Sequence, residues 1–443
     1  MRFAIKQAGC NSERIGCLSG FVKTSAHIET PTTALHTQGA SVVHLTAEVL
    51  SKVYSDPQIL WVPLSNSIQL ESGLKAQGEG VAKFAGLSEH ITCAASNSSI
   101  KVTPAGHFEL DKIPLWTKNG KQMITADRYM DLMELFKPDM ILAIADGRTS
   151  LNEGYKRLKK SVERTSAMLS VCVKRYRESE QLKNSSIIGV IVGAGDEKKC
   201  DESIANILVH RNSINGIALS SLTDGTEESS NVSIEKLVEI FKRIGNAIPK
   251  DLVRIVEGCW DPAVVVSAIQ QGWDLFDGSY PLHLTNKGLA LALNFDVDRS
   301  SDELCIMDMN SDRYKEDFGP VLADCECLAC KKHTRAYIRH LLNTREMLAS
   351  VLLSIHNLHH FDQMFQHARR HIASNTFQVY KEHIIKQYEM YKTQGDVCDI
   401  VEKPNVTENR DSVVKNIQVK KKIRVTDKIP IEVNGVNNAS QKA

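Results

Sequence analysis

The sequence has no long apolar run and almost no net charge. No uninterrupted apolar stretch approaches the roughly 20 residues that a membrane-spanning helix needs. Residues 1–20 interrupt their short apolar stretches with Arg2, Lys6, Glu13 and Arg14, unlike a signal peptide. The 54 Lys and Arg residues nearly balance 53 Asp and Glu residues, which leaves a net charge of +1. No strong overall field attracts nucleic acid or a membrane surface, so any contact with RNA must be local. These absences predict a soluble, intracellular protein.

The cysteines show no framework of disulfide pairs. Their number, eleven, is odd, and eight of them are scattered singly along the chain. This usage favours reduced thiols in a reducing compartment. The other three, Cys325, Cys327 and Cys330, fall within six residues, and one short loop can turn all three towards a common point. They predict a metal site, and soft thiolate ligands favour zinc.

Three cysteines leave a tetrahedral zinc site one ligand short. The helical sequence downstream offers His333, His340, His356, His359, His360, His367 and His371. His333 lies too near the loop to close the site, whereas a histidine on a returning helix would tie that helix to the loop. Spacing alone does not select one of them. Because four protein ligands leave no position open for water, we predict a structural site, which argues against a zinc-dependent hydrolase.

Amphipathic helices alternate with short apolar strands from about residue 124 onward. Thr125 caps a first helix that ends at Phe136, before Pro138. The predicted strands that follow are Met140–Ala145, Ile187–Val192, Gly216–Leu219, Leu252–Val256 and Asp274–Phe276. The predicted helices between them are Leu151 to about Glu180, about Asp201 to Val209, Ile234–Ile244, and Ala263–Gln270 behind Pro262.

All-apolar strands that alternate with helices indicate a parallel sheet wrapped by helices. The chain has no glycine-rich phosphate loop, and its 443 residues suit a barrel of ~250 residues with additions. The sequence therefore predicts an α/β fold, a TIM-type (β/α)8 barrel, rather than an open doubly wound sheet. We assign the barrel with an N-terminal elaboration to residues 1–320, a zinc-binding subdomain with helices that complete the barrel to 321–395, and a flexible polar tail to 396–443.

Several stretches resemble one known family, the tRNA-guanine transglycosylases. The first is the zinc tract itself, in which a histidine follows the last cysteine by 26 residues, a spacing that selects His356. The others are Thr30–Ser41 (TPTTALHTQGAS), Arg254–Pro262 (RIVEGCWDP), Gly272–Asp277 (GWDLFD), Lys331–Leu342 (KKHTRAYIRHLL) and Thr344–Leu353 (TREMLASVLL). The resemblance spans roughly residues 15–370. It implies a barrel with an inserted zinc subdomain and one structural zinc held by Cys325, Cys327, Cys330 and His356.

The resemblance also implies a reaction that needs two carboxylates. The family exchanges a guanine in a tRNA anticodon for another base, with an aspartate attacking the ribose and a second carboxylate handling protons. Asp277 falls on the nucleophile position, but the Pro-Thr-Arg that follows it in the family is missing, and no arginine occurs between Arg254 and Arg299. The Asp-Ser-Gly-Gly segment of the second carboxylate is absent as well.

The guanine-binding positions are also altered. Asp146 matches the family's base-binding aspartate, but Val192 stands where the family has glutamine, and Ser220-Ser221 replace paired glycines. A valine cannot hydrogen-bond a guanine edge. We therefore predict no catalytic residue in this chain, with Asp277 a relic of the nucleophile position.

An eroded pocket on an intact fold resembles the non-catalytic members of this family in eukaryotes. Such a subunit forms a heterodimer with a catalytic queuine tRNA-ribosyltransferase subunit and contacts tRNA through that complex. It supports exchange of guanine for queuine at the wobble position. The resemblance also implies a cytoplasmic location, with peripheral association with the mitochondrial outer membrane and no transmembrane segment. The alternative is an active tRNA-guanine transglycosylase that uses Asp277 as nucleophile.

Overall fold

A computed structural model describes residues 1–102, 104, 106–223, 232–299 and 304–401 of the chain, with side chains of the last helix described to residue 393. Residue contacts divide the chain into a compact unit, Met1–Lys392, and a second unit, Thr393–Ala443. Of the predicted tail 396–443, residues 396–401 belong to the last helix, and 402–443 lie outside the described residues. The boundary between residues 320 and 321 stays a prediction.

The strands and helices are numbered here in chain order. The strands are β1 Arg2–Ala8, β2 Arg14–Ser19, β3 Ile28–Thr30, β4 Thr32–Gln38, β5 Ser41–Val42, β6 Ile59–Pro63, β7 Ile91–Ala95, β8 Lys112–Thr117, β9 Gly120–Thr125, β10 Met140–Leu142, β11 Ser186–Ile191, β12 Ile214–Leu219, β13 Val253–Val256, β14 Leu275–Gly278, β15 Leu289–Leu291 and β16 Ile306–Asp308. The α-helices are α1 Ala47–Val53, α2 Glu71–Gln77, α3 Val81–Phe84, α4 Ala126–Phe136, α5 Tyr155–Glu178, α6 Glu197–Leu208, α7 Ile234–Ala247, α8 Pro262–Gln270, α9 Ser279–Asn286, α10 Leu328–Lys332, α11 Arg335–Asn343, α12 Met347–Ala373 and α13 Phe377–Val401. Single 3₁₀ turns lie at Leu64–Asn66, Ile68–Leu70 and Asp312–Tyr314.

Eight parallel strands close into a barrel. Their hydrogen-bonded order is β4, β6, β7, β10, β11, β12, β13 and β14, and β14 pairs with β4 to close the ring. At this closing seam Leu275 lies opposite Thr32, and Asp277 lies opposite Ala34. The (β/α)8 prediction is confirmed, because an open doubly wound sheet would leave β4 and β14 apart.

Alternation along the barrel strands separates two layers of core. On β6, Ile59 and Trp61 belong to a buried cluster inside the ring, whereas Leu60 and Val62 belong to the cluster that packs against the helices. On β7, Cys93 faces the inside and Ala94 faces the helices. Successive side chains of a strand point to opposite faces, so strands that are buried on both faces need apolar residues at nearly every position.

The predicted elements after residue 124 are all present, with shifted ends. Thr125 caps α4, where its hydroxyl accepts from the backbone N–H of Arg128. The predicted strand Met140–Ala145 ends at Leu142. The predicted helix Asp201–Val209 begins earlier, at Glu197, because the side chain of Asp196 caps it.

Three barrel strands, β4, β6 and β7, lie before residue 124, where the sequence pattern assigned no individual strand. They are separated by short helices and by the antiparallel strand β5. The regular alternation of strand and helix is therefore broken in this part of the chain. The prediction that residues 1–320 form the barrel with an N-terminal elaboration includes these strands, but it did not locate them.

A buried ion pair lies beside the closing seam. Arg14 donates from Nε to Asp274 Oδ1 at 2.9 Å and from Nη2 to Oδ2 at 2.5 Å, and both side chains are buried. Asp274 Oδ2 also accepts from the backbone N–H of Arg254 at 2.8 Å. The Asp274 carbonyl accepts from the N–H of Thr32, the first residue of β4, at 2.9 Å. One aspartate therefore links strands β13 and β14, the β2 arginine and the first strand of the barrel.

We predict that Arg14→Ala lowers the free energy of unfolding by about 3 kcal/mol, since removing one partner of a buried pair leaves the other charge uncompensated. Urea denaturation followed by circular dichroism measures the change. The control is Lys6→Ala, which removes a 2.9 Å pair with Glu29 whose side chains are 49% and 51% exposed, and which should cost less than about 1 kcal/mol. Equal, small losses from both changes would contradict the prediction.

Candidate functional site

Four metal-ligating side chains meet between the cysteine loop and α12. Cys325 and Cys327 precede α10, Cys330 lies within it, and His356 lies near the middle of α12. Their ligand atoms all lie within 4.8 Å of one another. His356 Nδ1 is 3.7 Å from the Sγ atoms of Cys325 and Cys327 and 3.3 Å from that of Cys330. The structure brings together the four predicted ligands, and this group could hold a metal ion.

Local structure orients these ligands. Cys327 is the N-cap of α10, and its Sγ accepts from the backbone N–H of Cys330 at 3.3 Å. His356 Nε2 donates to the carbonyl of Leu291 at 2.7 Å, which turns the lone pair of Nδ1 towards the three sulfurs. Asn357 accepts from the N–H of Leu291 at 2.8 Å and donates to the carbonyl of Leu289 at 2.9 Å. Strand β15 thus fixes both the ring and the helix that carries it.

The neighbouring histidine is used differently. His360 lies one turn further along α12 and donates from Nε2 to the carbonyl of Leu293 at 3.0 Å. Among the described residues, the group of candidate ligands contains His356 and no second histidine. The structure thereby selects one of the seven histidines that the sequence left open.

A second candidate site is a cleft at the carboxyl ends of the barrel strands. Its walls come from Ser96–Ser99 after β7, from Gly147 and Arg148 after β10, from Ser220–Thr223 after β12, and from Glu257 and Gly258 after β13. This is the face on which barrel enzymes place their chemistry. The cavity holds only about 50 Å³, whereas pockets for small molecules usually measure roughly 300–1,000 Å³.

Asp277, at the predicted nucleophile position, does not line this cleft. It is buried, and Oδ1 accepts from His36 Nδ1 at 3.3 Å. Oδ2 accepts a short hydrogen bond from the hydroxyl of Ser99. Both oxygens of this carboxylate are therefore engaged by neighbouring side chains.

Asp146, at the predicted base-binding position, is fully buried by two arginines of α5. Arg157 donates from Nη1 to Oδ2 at 2.7 Å and from Nη2 to Oδ1 at 2.5 Å. Arg164 donates to Oδ2 as well. Both guanidinium groups also lie over the ring of Phe108, at 4.4 Å and 5.4 Å from its centre. Both oxygens of Asp146 therefore already accept from arginine side chains.

The other two predicted positions differ from each other. Val192 is fully buried in the cluster inside the barrel and does not line the cleft. Ser220 and Ser221 do line it, and Ser221 adopts a left-handed backbone with φ of +67°. Beside them, burial raises the pKa of Glu257 to about 7, which a hydrogen bond from Ser220 partly opposes. The cleft therefore holds a carboxyl group that exchanges its proton near neutral pH.

Comparison with known proteins decides the family. The queuine tRNA-ribosyltransferase family profile matches residues 10–390. The chain belongs to this family. Its curated relatives include a protein of Aedes aegypti, 33% identical over 95% of this chain and 100% of the relative, and one of Culex quinquefasciatus, 32% identical over 95% and 99%. A protein of Drosophila melanogaster is 31% identical over 85% of this chain and 90% of its own length. All three are named queuine tRNA-ribosyltransferase accessory subunit 2.

The catalytic groups that are typical of the family but missing from this chain can be located in the fold. The chain turns directly from β14 into α9 after Gly278, with no arginine there. A Cβ atom at Gly278 would lie 1.8 Å from the carbonyl oxygen of Ala34, so this turn must pack tightly on β4. The cleft wall after β7 is Ser96-Asn97-Ser98-Ser99, which carries no acid.

The sequence did not predict several residues that bind Asp277 and Asp146. His36 lies within the quoted stretch Thr30–Ser41, but a single histidine gives no sign of a partner 241 residues away. Arg157 and Arg164 stand seven residues apart on α5, a spacing that places both on one face of a helix. That spacing is the one signal that could have predicted their common target.

The helices of the described residues differ from membrane-spanning helices. None of them is both long enough and apolar enough to cross a bilayer.

Proposed function

We propose that this chain is the non-catalytic subunit of a queuine tRNA-ribosyltransferase, paired with a catalytic subunit that exchanges guanine for queuine at the wobble position of tRNA. The observation that carries the proposal is that side chains of this chain already bind the two aspartates at the family's nucleophile and base-binding positions. Asp277 is bound by His36 and Ser99, and Asp146 is bound by Arg157 and Arg164. Both carboxylates are buried and bound by side chains of this chain, which argues against attack on a ribose and against recognition of a base. The names of the curated relatives agree with this role.

The alternative, an active transglycosylase that uses Asp277, finds less support. A nucleophile must reach the ribose C1′, but Asp277 is 3% exposed and stands behind Ser99. The small cleft in front of it offers about 50 Å³. A retaining mechanism also needs two carboxylates that flank the bond, and Glu257 is the one acid on the described cleft wall. The alternative therefore requires a large rearrangement of the pocket.

We further propose one structural zinc, bound by Cys325, Cys327, Cys330 and His356. Zinc bonds of ~2.3 Å to sulfur and ~2.0–2.1 Å to nitrogen give a tetrahedron whose sulfur–nitrogen edges measure roughly 3.6 Å. The three sulfur–nitrogen separations here are 3.7, 3.7 and 3.3 Å. The donor set fits this ion, and bound zinc would cross-link α10 to α12. Three thiolates and an imidazole leave no open position, so hydrolytic chemistry is not expected.

The partner contact is proposed at the zinc-binding subdomain, residues 321–395, and its neighbouring loop. Large apolar side chains are exposed there: Phe318 (76%), Tyr337 (40%), Met347 (85%) and Leu348 (40%). The segments that carry Phe318 and Tyr337 are adjacent, because the carbonyl of Asp317 accepts from the N–H of Ala336. Exposed apolar residues that form a contiguous patch are typical of protein interfaces.

Contact with tRNA is proposed through the complex. On α5, Lys156, Lys160, Lys174 and Arg177 are exposed, and a basic helix surface of this kind can contact phosphates. The family resemblance further supports a cytoplasmic location with peripheral association with the mitochondrial outer membrane, which subcellular fractionation would test.

The first prediction concerns the metal. Cys327→Ser should release the zinc and lower the stability of the chain, since binding energy of thiolate ligands is also folding energy. Elemental analysis should find one zinc per parent chain and less than about 0.2 per variant chain, and thermal denaturation should show a lower midpoint. The matched control is Cys200→Ser, a buried cysteine outside the ligand group, which should keep its zinc. A parent protein without stoichiometric zinc would refute the proposal.

The second prediction concerns activity. The purified chain should exchange no guanine for queuine in tRNA, whereas its mixture with the catalytic subunit should be active and should co-purify as one complex. Incorporation of labelled queuine or guanine into tRNA measures this directly. Turnover by the isolated chain above background would refute the non-catalytic role.

The third prediction distinguishes the non-catalytic role from an active transglycosylase that uses Asp277. Asp277→Asn in the reconstituted complex should leave base exchange within about threefold of the parent, a change of less than ~0.7 kcal/mol in the barrier. Loss of a working nucleophile would lower the rate by several orders of magnitude. The control is replacement of the nucleophilic aspartate in the catalytic subunit, which should abolish turnover. A large loss from Asp277→Asn in a folded, zinc-loaded complex would favour the alternative.

A further inference from the structure

Three side chains at the barrel seam form a hydrogen-bonded series. Ser98 Oγ lies 3.1 Å from His36 Nε2, and His36 Nδ1 lies 3.3 Å from Asp277 Oδ1. All three side chains are buried, at 4%, 3% and 3% exposure. They come from three separate parts of the chain, the loop after β7, strand β4 and strand β14. Serine, histidine and aspartate in this order and at these distances have the arrangement of a nucleophile, a base and its orienting group.

The chemistry of the three groups fixes the direction of each hydrogen bond. An ionised carboxylate only accepts, and Asp277 Oδ2 already accepts from Ser99. His36 Nδ1 must therefore carry the proton and donate it to Oδ1. In the neutral ring Nε2 is then an acceptor, so the Ser98 hydroxyl donates to it. This is the tautomer that a base needs to withdraw a proton from serine.

Ser98 is also placed where a small molecule can reach it. It lines the cleft at the carboxyl ends of the strands, whereas His36 and Asp277 lie behind it. The backbone N–H groups of Ser99 and Ile100, which follow it, donate to no acceptor within the described residues. Of these two residues Ser99 lines the cleft, so its N–H is the candidate donor to an oxyanion. A cavity of about 50 Å³ admits an acyl group of acetyl size.

We propose that Ser98 is a nucleophile activated by His36 and oriented through Asp277, and that the cleft catalyses acyl transfer from small esters independently of base exchange. Ser98 Oγ attacks the ester carbonyl carbon while His36 Nε2 takes the hydroxyl proton. The carbon–alkoxide bond then breaks, and the leaving alkoxide receives that proton from His36. Water attacks the acyl-serine in the second half, giving a proton to His36, which returns it to Ser98 as the carboxylic acid leaves.

The sharpest test uses the unmodified chain and a probe that fits the cleft. Methanesulfonyl fluoride should sulfonylate Ser98 with release of fluoride, and intact-mass and peptide mass spectrometry should locate one adduct on that residue. Ser98→Ala should take up none. Ser267→Ala, the same change at a serine buried within α8, should react as the parent does. A parent protein without an adduct on Ser98, or with its adduct on Ser99, would overturn the proposal without reference to any variant.

Turnover of p-nitrophenyl acetate separates a positioning role of Asp277 from a purely structural one. Asp277→Asn should lower kcat about 100-fold or more, since the histidine is no longer held in the required tautomer, while KM stays within twofold. His36→Gln should lower kcat similarly, and Ser98→Ala should remove turnover. Unchanged hydrolysis in Ser98→Ala, or an Asp277→Asn effect confined to KM, would overturn the proposal. The hydrolysis assay does not measure base exchange, so absence of ester hydrolysis would leave the proposed function of the subunit intact.

Discussion

The pairing of β14 with β4 is the contact on which both the fold and its chemistry depend. These strands are separated by more than 200 residues, and their hydrogen bonds close the barrel. The same register sets Asp277 opposite Ala34, two residues before His36, so the carboxylate and the imidazole meet because the ring closes. Gly278 permits the approach, since any side chain there would collide with the carbonyl of Ala34. The buried ion pair of Arg14 and Asp274 lies at the other end of the seam and stabilises it.

Burial of charge explains how a family pocket can lose its function without loss of the fold. A buried carboxylate without a partner is costly, so an aspartate that no longer meets a substrate must find another cation or donor. Asp146 meets Arg157 and Arg164, and Asp277 meets His36 and Ser99. The retained aspartates of this chain therefore have partners within the chain, and their presence in a sequence does not indicate transglycosylase chemistry.

The sequence predicted what depends on local pattern and missed what depends on distant contacts. Apolar strands alternating with capped helices predicted five barrel strands and the fold class, because period and capping are properties of neighbouring residues. Cysteine spacing predicted the three sulfur ligands of a group that could hold a metal ion, but seven histidines stood at acceptable distances, and the family resemblance was needed to select His356. The partners of Asp146 and Asp277 were not predictable from pattern. A carboxylate after a strand does not show in the sequence whether an arginine of the next helix or a histidine 241 residues away will bind it.

Helix α12 joins the metal site to the cleft. His356 faces the cysteine loop, and Asn357, the next residue, grips β15. The same helix packs against β4, the strand that carries His36, and Tyr54 donates to the carbonyl of Leu358 within it. A zinc ion that fixes α12 would thereby fix the outer support of β4. Because hydrogen bonds between three separate segments tolerate little displacement, a structural metal at this group, although without catalytic chemistry of its own, would influence the alignment of Ser98, His36 and Asp277.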